Sequence, residues 1–269
     1  MRNILAIAAL FGLATAQSGI ITVNTTTQFM IDGVRRSTIF HGVNVVYKVD
    51  PYIPTTNDTF DPQLSLNDAD IENMVEWGFN FVRLGVMWEA VERKPGEYDM
   101  VYLNKVNDLI NKLGSRGIYT MVDAHQDVFA RTICGEGMPT FYITDDLLDH
   151  TCHGPDLPWA QHLYGTCQSM AAFEFKTDEN GWPLISECNK NSFVRYYSTA
   201  ESLSAFEMLY QNTNGLQDKF MAYWDEVAKF FAPNQYVIGY DPINEPFPSN
   251  YMKDPTIAMT PGKFDLTLL

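Results

Sequence analysis

The stretch Gln235–Pro246, "QYVIGYDPINEP", runs apolar from Tyr236 to Tyr240 and then stops on Asn244 and Glu245, hemmed in by Pro242 and Pro246. A short run that is apolar on both faces fits a strand inside a parallel sheet covered by helices. The amide and the carboxylate then mark its C-terminal end. Three earlier segments are built the same way. "STIFHGVNVVY" (37–47) leads to Asn44 and Lys48, "FNFVRLGVMW" (79–88) carries Arg83, and "IYTMVDAHQD" (118–127) ends on His125 and Asp127.

Helical patterns separate these runs. "SLNDADIENMVEWG" (65–78) opens with Ser65 and Asp68 spaced as a capping box, buries Ile71, Met74 and Val75, and stops at Gly78. "YDMVYLNKVNDLINKLGSRG" (98–117) places Val106, Leu109, Ile110 and Leu113 on one face and ends at Gly117. "SLSAFEMLYQ" (202–211) and "LQDKFMAYWDEVAKFF" (216–231) precede the last strand. Alternating strands and helices suit either an open doubly wound sheet or a closed barrel. The polar residues decide between them. A barrel gathers every strand end around one mouth, whereas an open sheet has one switch point, with a Gly-rich phosphate turn. "CGEGMP" has no helix pattern behind it, so the expected fold is an α/β TIM (β/α)8 barrel, of which about the first four β/α units are present.

Residues 1–16, "MRNILAIAALFGLATA", have a signal-peptide build: Arg2, an apolar run from Ile4 to Leu13, and small residues at Ala14 and Ala16. The run falls well short of the ~20 residues of a spanning helix. The expectation is cleavage after Ala16, a secreted or lysosomal destination, and the N-terminal part of the barrel domain over 17–269. Ahead of it, two short β-runs flank Asp32-Gly33, a hairpin dipeptide. A stretch at about 128–200 lacks sustained periodicity, the mark of a functional loop insert. It holds Cys134, Cys152, Cys167 and Cys188. In an exported chain these form two disulfides. Short loops close most readily, so Cys134–Cys152 and Cys167–Cys188 are the expected pairs. His150, Cys152, His153, His162 and Cys167 lack the paired spacings of structural zinc motifs; no metal and no cofactor is expected. Asn24-Thr25-Thr26 and Asn57-Asp58-Thr59 match glycosylation acceptors.

A 46% hydrophobic, 13% aromatic composition supplies a large core. The formal charge of −15 argues against nucleic acid and against electrostatic docking on anionic lipid. Contact with a membrane surface would be transient and apolar.

Glycoside cleavage needs an acid to protonate the leaving oxygen and a second carboxylate on the other side of the bond. Glu245, among Tyr240, Pro242 and Phe247, sits where desolvation would keep its proton. Asn244 suits a sugar hydroxyl. Arg83 reads as a carboxylate partner, and Trp88 as either a sugar-stacking face or core. Lys48, His125 and Asp127 read singly as surface lysine, structural histidine and cap. Collected at successive strand ends, they read as a site.

Together "FHGVNVVYK", "GFNFVRLGVMWEAVERKPGEYD", "RGIYTMVDAHQDVFAR", "CGEGMP" and "VIGYDPINEP" resemble the endoglycoceramidase branch of the glycoside hydrolase family 5 TIM barrels. The resemblance implies a retaining β-glycosidase acting on the bond between glycan and ceramide. It also implies Glu245 as acid/base, Asn244 on the 2-hydroxyl, Lys48, His125 and Asp127 on the first sugar, and Arg83 as support for the catalytic carboxylates. The family's nucleophilic Glu lies on the seventh strand, and the sequence reaches the fourth. Cleavage of a steryl glucoside or soluble β-glucan, and a non-catalytic lipid- or carbohydrate-binding fragment, are the alternatives.

Overall fold

The computed structural model describes residues 21–57, 59–153, 166–248, Lys253 and Thr256. The signal segment, His162, Asp58 and the last thirteen residues lie outside the described residues. The chain divides into two compact units, Met1–Phe40 and His41–Leu269.

In the first unit, β1 (Thr22–Val23) pairs antiparallel with β2 (Met30–Ile31). The expected two-residue turn at Asp32-Gly33 is a wider loop, closed by a bridge from Ile31 to Ser37. The Asp32 carboxylate is the cause: it accepts from the Val34 N–H at 3.0 Å and the Arg36 N–H at 2.8 Å, which wraps the backbone around it.

The second unit is built on four strands: β3 (Gly42–Val45), β4 (Phe81–Gly85), and, further along the chain, Tyr119–Asp123 and Val237–Asp241. A short helix α2 (Trp88–Val91) and a small hairpin, β5 (Glu92–Lys94) with β6 (Glu97–Tyr98), follow β4, so the last two sheet strands are β7 and β8. All four pair in parallel, in the order β3-β4-β7-β8. Spatial order follows chain order with no reversal. That is the arrangement of a barrel wall, whereas a doubly wound sheet must turn back at its switch point.

Helices α1 (Asp68–Glu76), α3 (Met100–Gly114), α5 (Ala200–Tyr210) and α6 (Leu216–Phe231) lie between the strands in sequence; α4 (Ile185–Cys188) is a single turn. Leu103, Val106, Ile110 and Leu113 of α3 and Tyr223, Val227 and Phe231 of α6 are buried, as are Val82, Leu84 and Val122 of the sheet. The expected face of α1 holds at two of its three residues: Ile71 and Met74 are buried, but Val75 is 39% exposed. Its cap is shifted by two residues. Asn67 and Asp70 form the box, because the Ser65 hydroxyl is engaged with the backbone of Asp61. Gly78 and Gly117 end their helices at φ +79°, as the stop signals imply.

The long insert contains few regular elements. Single turns of 3-10 helix at Arg131–Ile133, Thr140–Tyr142, Asp145–Leu147 and Met170–Phe173, and a longer one at Phe193–Ser198, join α4 as its only helical pieces among the described residues. Its two disulfides are Cys134–Cys188 and Cys152–Cys167, not the expected pairs. Loop length alone misleads here. Cys152 and Cys167 are only 15 apart and close the shorter loop, which leaves the 54-residue span to Cys134 and Cys188.

Candidate active site

Parallel register explains why the polar residues meet. Asn44, Arg83, Met121 and Gly239 form one row across the sheet, so their side chains share a face. Two residues on, Gly85, Asp123 and Asp241 form the next row on that face. Arg83 therefore reaches up one row into two carboxylates. Its guanidinium donates to Asp241 at 2.6 and 2.9 Å, to Asp123 at 2.8 Å, and to the Asn244 amide oxygen at 3.0 Å. A planar fork spanning three acceptors fixes the ends of β4, β7 and β8 relative to one another. Arg83 thus supports Asn244 directly, and Glu245 only through its neighbour.

His125 continues the network. Its Nδ1 lies 2.8 Å from Asp123 and its Nε2 3.4 Å from Asp127. Burial opposes a charge on the imidazole, but the hydrogen bonds to both carboxylates win and raise its pKa above the ordinary value. Asp123 is fully buried, and that desolvation raises its carboxyl pKa against the pull of His125 and Arg83. Asp127 goes the other way: burial would raise it, but His125 and Lys48 hold it low. The Lys48 ammonium pairs with Asp127 and stands 3.3 Å from Glu136. Burial would lower Lys48, yet the Asp127 and Glu136 carboxylates raise it. Tyr197 donates to the other Asp127 oxygen at 3.2 Å.

Two of the stretches that carry the resemblance pack as one unit. Asp127 and Glu136 pair as an antiparallel bridge, which lays "CGEGMP" against "HQDVFA". A Cβ at Gly135 would stand 2.4 Å from the Val128 carbonyl oxygen, and one at Gly137 would stand 2.2 Å from that of His125. Gly137 also has φ +107°. Only glycine permits this approach. Val128 and Phe129, both fully buried, adopt φ +54° and +78° in sequence, an unfavourable conformation for a β-branched and an aromatic residue. Behind the loop, Glu89 accepts from the Gly137 N–H at 2.6 Å. Burial pushes the Glu89 carboxyl up to about 7, against that hydrogen bond.

Asn244 is buried, and its Nδ2 donates to the Gln126 carbonyl at 2.9 Å. Gln126, fully buried, returns its own Nε2 to the carbonyls of Asn244 at 2.7 Å and Glu245 at 3.3 Å. These clamps hold the turn in which Glu245 has φ +39°. The Glu245 side chain itself is exposed. The enclosure expected from Tyr240 and Phe247 is absent: the Tyr240 ring packs on Trp224, and the Phe247 ring on Tyr197 and Phe206.

Trp88 is core. It is 1% exposed, packs on Tyr142, Phe220 and Tyr223, and donates to Glu92 at 2.6 Å, so no sugar reaches its face. Lys48, His125, Asp127, Asn244 and Arg83 are brought together as expected. Sequence reasoning missed Asp123, Asp241, Gln126, Glu136 and Tyr197. Strand period two was the available signal for the two aspartates, since each stands on the Arg83 face.

An endoglycoceramidase of Hydra vulgaris is 36% identical over 250 residues, 91% of this chain and 44% of that protein. An endoglycoceramidase of Cyanea nozakii is 32% identical over 246 residues, 91% of this chain and 45% of its own length. The solved structure of endo-glycoceramidase II from Rhodococcus sp., in complex with a cellobiose-like imidazole, superposes with a TM-score of 0.57 at 25% identity, over 89% of this chain and 48% of that one. The chain spans less than half the length of these relatives. The family model for cellulase (glycosyl hydrolase family 5) matches residues 51–258. The chain belongs to glycosyl hydrolase family 5, within its endoglycoceramidase-like part.

Proposed function

We propose that this chain carries the acid/base half of a retaining β-glycosidase that hydrolyses the bond between glycan and ceramide in glycosphingolipids. The observation that carries the reading is the clamped Asn244-Glu245 turn. Gln126 and the Ala124 carbonyl, which accepts from the Asn244 N–H at 3.2 Å, fix its backbone, and Arg83 holds the Asn244 amide oxygen, while the Glu245 carboxyl is left open to a ligand.

In this reading the Glu245 carboxylic acid gives its proton to the glycosidic oxygen as the bond to the anomeric carbon breaks. A second carboxylate, from a strand that this sequence does not include, attaches to that carbon. Glu245, now ionised, takes a proton from water as the water oxygen attacks the anomeric carbon and releases the second carboxylate. Asn244 keeps one N–H and one oxygen lone pair for the 2-hydroxyl after its protein contacts are made. Lys48, His125 and Asp127 form a pre-paired polar floor for the first sugar. The proposed destination is secreted or lysosomal, supported by the two disulfides. A mature N-terminus at Gln17, read by sequencing the exported protein, tests it.

The longest reading frame that contains this sequence, assayed on a fluorescent glycosylceramide, a steryl glucoside and a soluble β-glucan, tests the activity. Release of intact glycan from ceramide with retained anomeric configuration is expected. Inversion, or hydrolysis confined to the steryl or soluble substrate, would overturn it.

A further inference from the structure

Glu89, on the short helix α2, is a half-buried carboxyl that the proposed reaction does not use. It holds both backbone groups of one residue. Its N–H, in the first turn of α2 and without a partner inside the helix, donates to the Gly137 carbonyl at 3.0 Å. Its Oε1 accepts from the Gly137 N–H at 2.6 Å. The other edge of the same loop pairs with the segment after β7. The Glu136 N–H donates to the Asp127 carbonyl at 2.8 Å, and the Asp127 N–H to the Glu136 carbonyl at 3.1 Å. Glu136 and Gly137 are thus gripped from both sides. The Glu136 carboxylate leaves that grip 3.3 Å from the Lys48 ammonium, which pairs with Asp127.

Holding one N–H does not need a charge, since an amide oxygen or a water molecule would accept from it. A carboxyl in this place costs desolvation and, once ionised, repulsion from Glu136. Burial raises its pKa to about 7; the Gly137 N–H draws it down, Glu136 pushes it up, and Tyr52 and Arg131 lower it. Arg93, Asp50 and Tyr102 complete the surroundings by acting on Tyr52. The Arg93 guanidinium stands 5.6 Å over the Tyr52 ring, and the Tyr102 hydroxyl donates to the Tyr52 carbonyl at 3.1 Å. A charged acceptor holds an N–H more strongly than a neutral one. The grip on Gly137 therefore tightens as Glu89 ionises, and Glu136 is one residue away.

We infer that Glu89 is a positioning residue: through Gly137 it holds Glu136 against Lys48, and so fixes the Lys48–Asp127 pair in place for the reaction. The inference rests on the glycosidase reading above. It gives Glu89 no contact with the substrate and no proton transfer.

The test measures kcat/KM on a fluorescent glycosylceramide for the longest reading frame and its Glu89→Ala, Glu89→Gln, Glu136→Gln and Glu89→Ala/Glu136→Gln variants. Glu89→Ala should lose about tenfold, mainly through KM, because the loop loosens while the reacting groups stay. Glu89→Gln keeps a neutral acceptor. It should match the parent within about twofold at about pH 5, where Glu89 carries its proton, and fall about threefold or more behind it at about pH 8. The double variant should lose no more than about twice what the worse single variant loses. A role in packing alone would leave the parent-to-Gln ratio flat across pH. A flat ratio, or losses that multiply in the double variant, overturns the inference. Should Glu89→Ala fail to fold, the pH dependence of the Glu89→Gln ratio decides alone. If the parent cleaves no glycosylceramide, the glycosidase reading fails by itself, and hydrogen exchange at the Gly137 amide decides the grip. Protection at about pH 8 that is higher in the parent than in Glu89→Gln supports it, and equal protection in the two overturns it.

Discussion

At the mouth of this sheet, the Arg83 cluster and the Glu245 turn lie side by side but are held in opposite ways. Arg83, Asp123, His125 and Asp241 satisfy one another across three strands, and Asp123 has no exposure at all. Glu245 stands in the turn that follows β8, its backbone clamped and its side chain exposed. In the first region each buried charge depends on its partners; in the second the backbone is held and the side chain is exposed. Substitutions should therefore separate stability from activity, and each of the following either breaks that separation or sharpens it.

The largest effect is expected at the open end. Glu245→Gln in the longest reading frame should lower glycosylceramide hydrolysis about 10²–10⁴-fold, the usual worth of a general acid. Its stability in urea unfolding should stay within about 0.5 kcal/mol of that of the parent. Arg83→Met should do the reverse in emphasis, because it takes the guanidinium away from the buried Asp123 and from Asp241. A loss of about 3–5 kcal/mol in urea unfolding is expected, with Arg83→Lys recovering part of it. If Arg83→Met unfolds at the same urea concentration as the parent, the cluster is not the anchor described.

Between these extremes stands the loop. Opening Cys134–Cys188 frees a 54-residue span and should cost about 2–4 kcal/mol. The 15-residue Cys152–Cys167 loop should cost less, as reductant-free thermal scans of the Ser variants would show. Gly137→Ala should cost about 1–3 kcal/mol, since its Cβ meets the His125 carbonyl at φ +107°. Unchanged stability there would mean that the two motifs do not pack as a unit.

The smallest effect is that of pH. The His125 pKa is raised on folding, so the stability it adds is complete below the free imidazole value of about 6.5 and is lost as pH rises through its folded value. Asp127 is lowered, so its contribution is present above the free carboxyl value of about 3.9 and is lost as pH falls through its folded one. Between about pH 5 and about pH 8.5 the parent should lose more stability than His125→Gln.

Much of this was legible before any coordinates. Strand and helix order, the sequential parallel sheet and the convergence of Lys48, Arg83, His125, Asp127 and Asn244 follow from apolar runs that end in polar residues. Three features were not legible, for physical reasons. The disulfide pairing depends on where the irregular insert folds, and no periodicity reports that. Trp88 reads equally as platform or core until Tyr142, Phe220 and Tyr223 are seen to enclose it. The exposure of Glu245 depends on where the Tyr240 and Phe247 rings pack, a long-range property that the local Pro-rich context does not encode.

Azide rescue of Glu245→Ala tests the role of this carboxyl most directly. With a substrate whose leaving group needs no protonation, the variant of the longest reading frame should form its glycosyl-enzyme ester and stall. Added azide, which needs no general base, should restore turnover and yield the β-glycosyl azide. Full activity without azide, or no β-glycosyl azide at any azide concentration, would contradict the assignment of Glu245 as the acid/base.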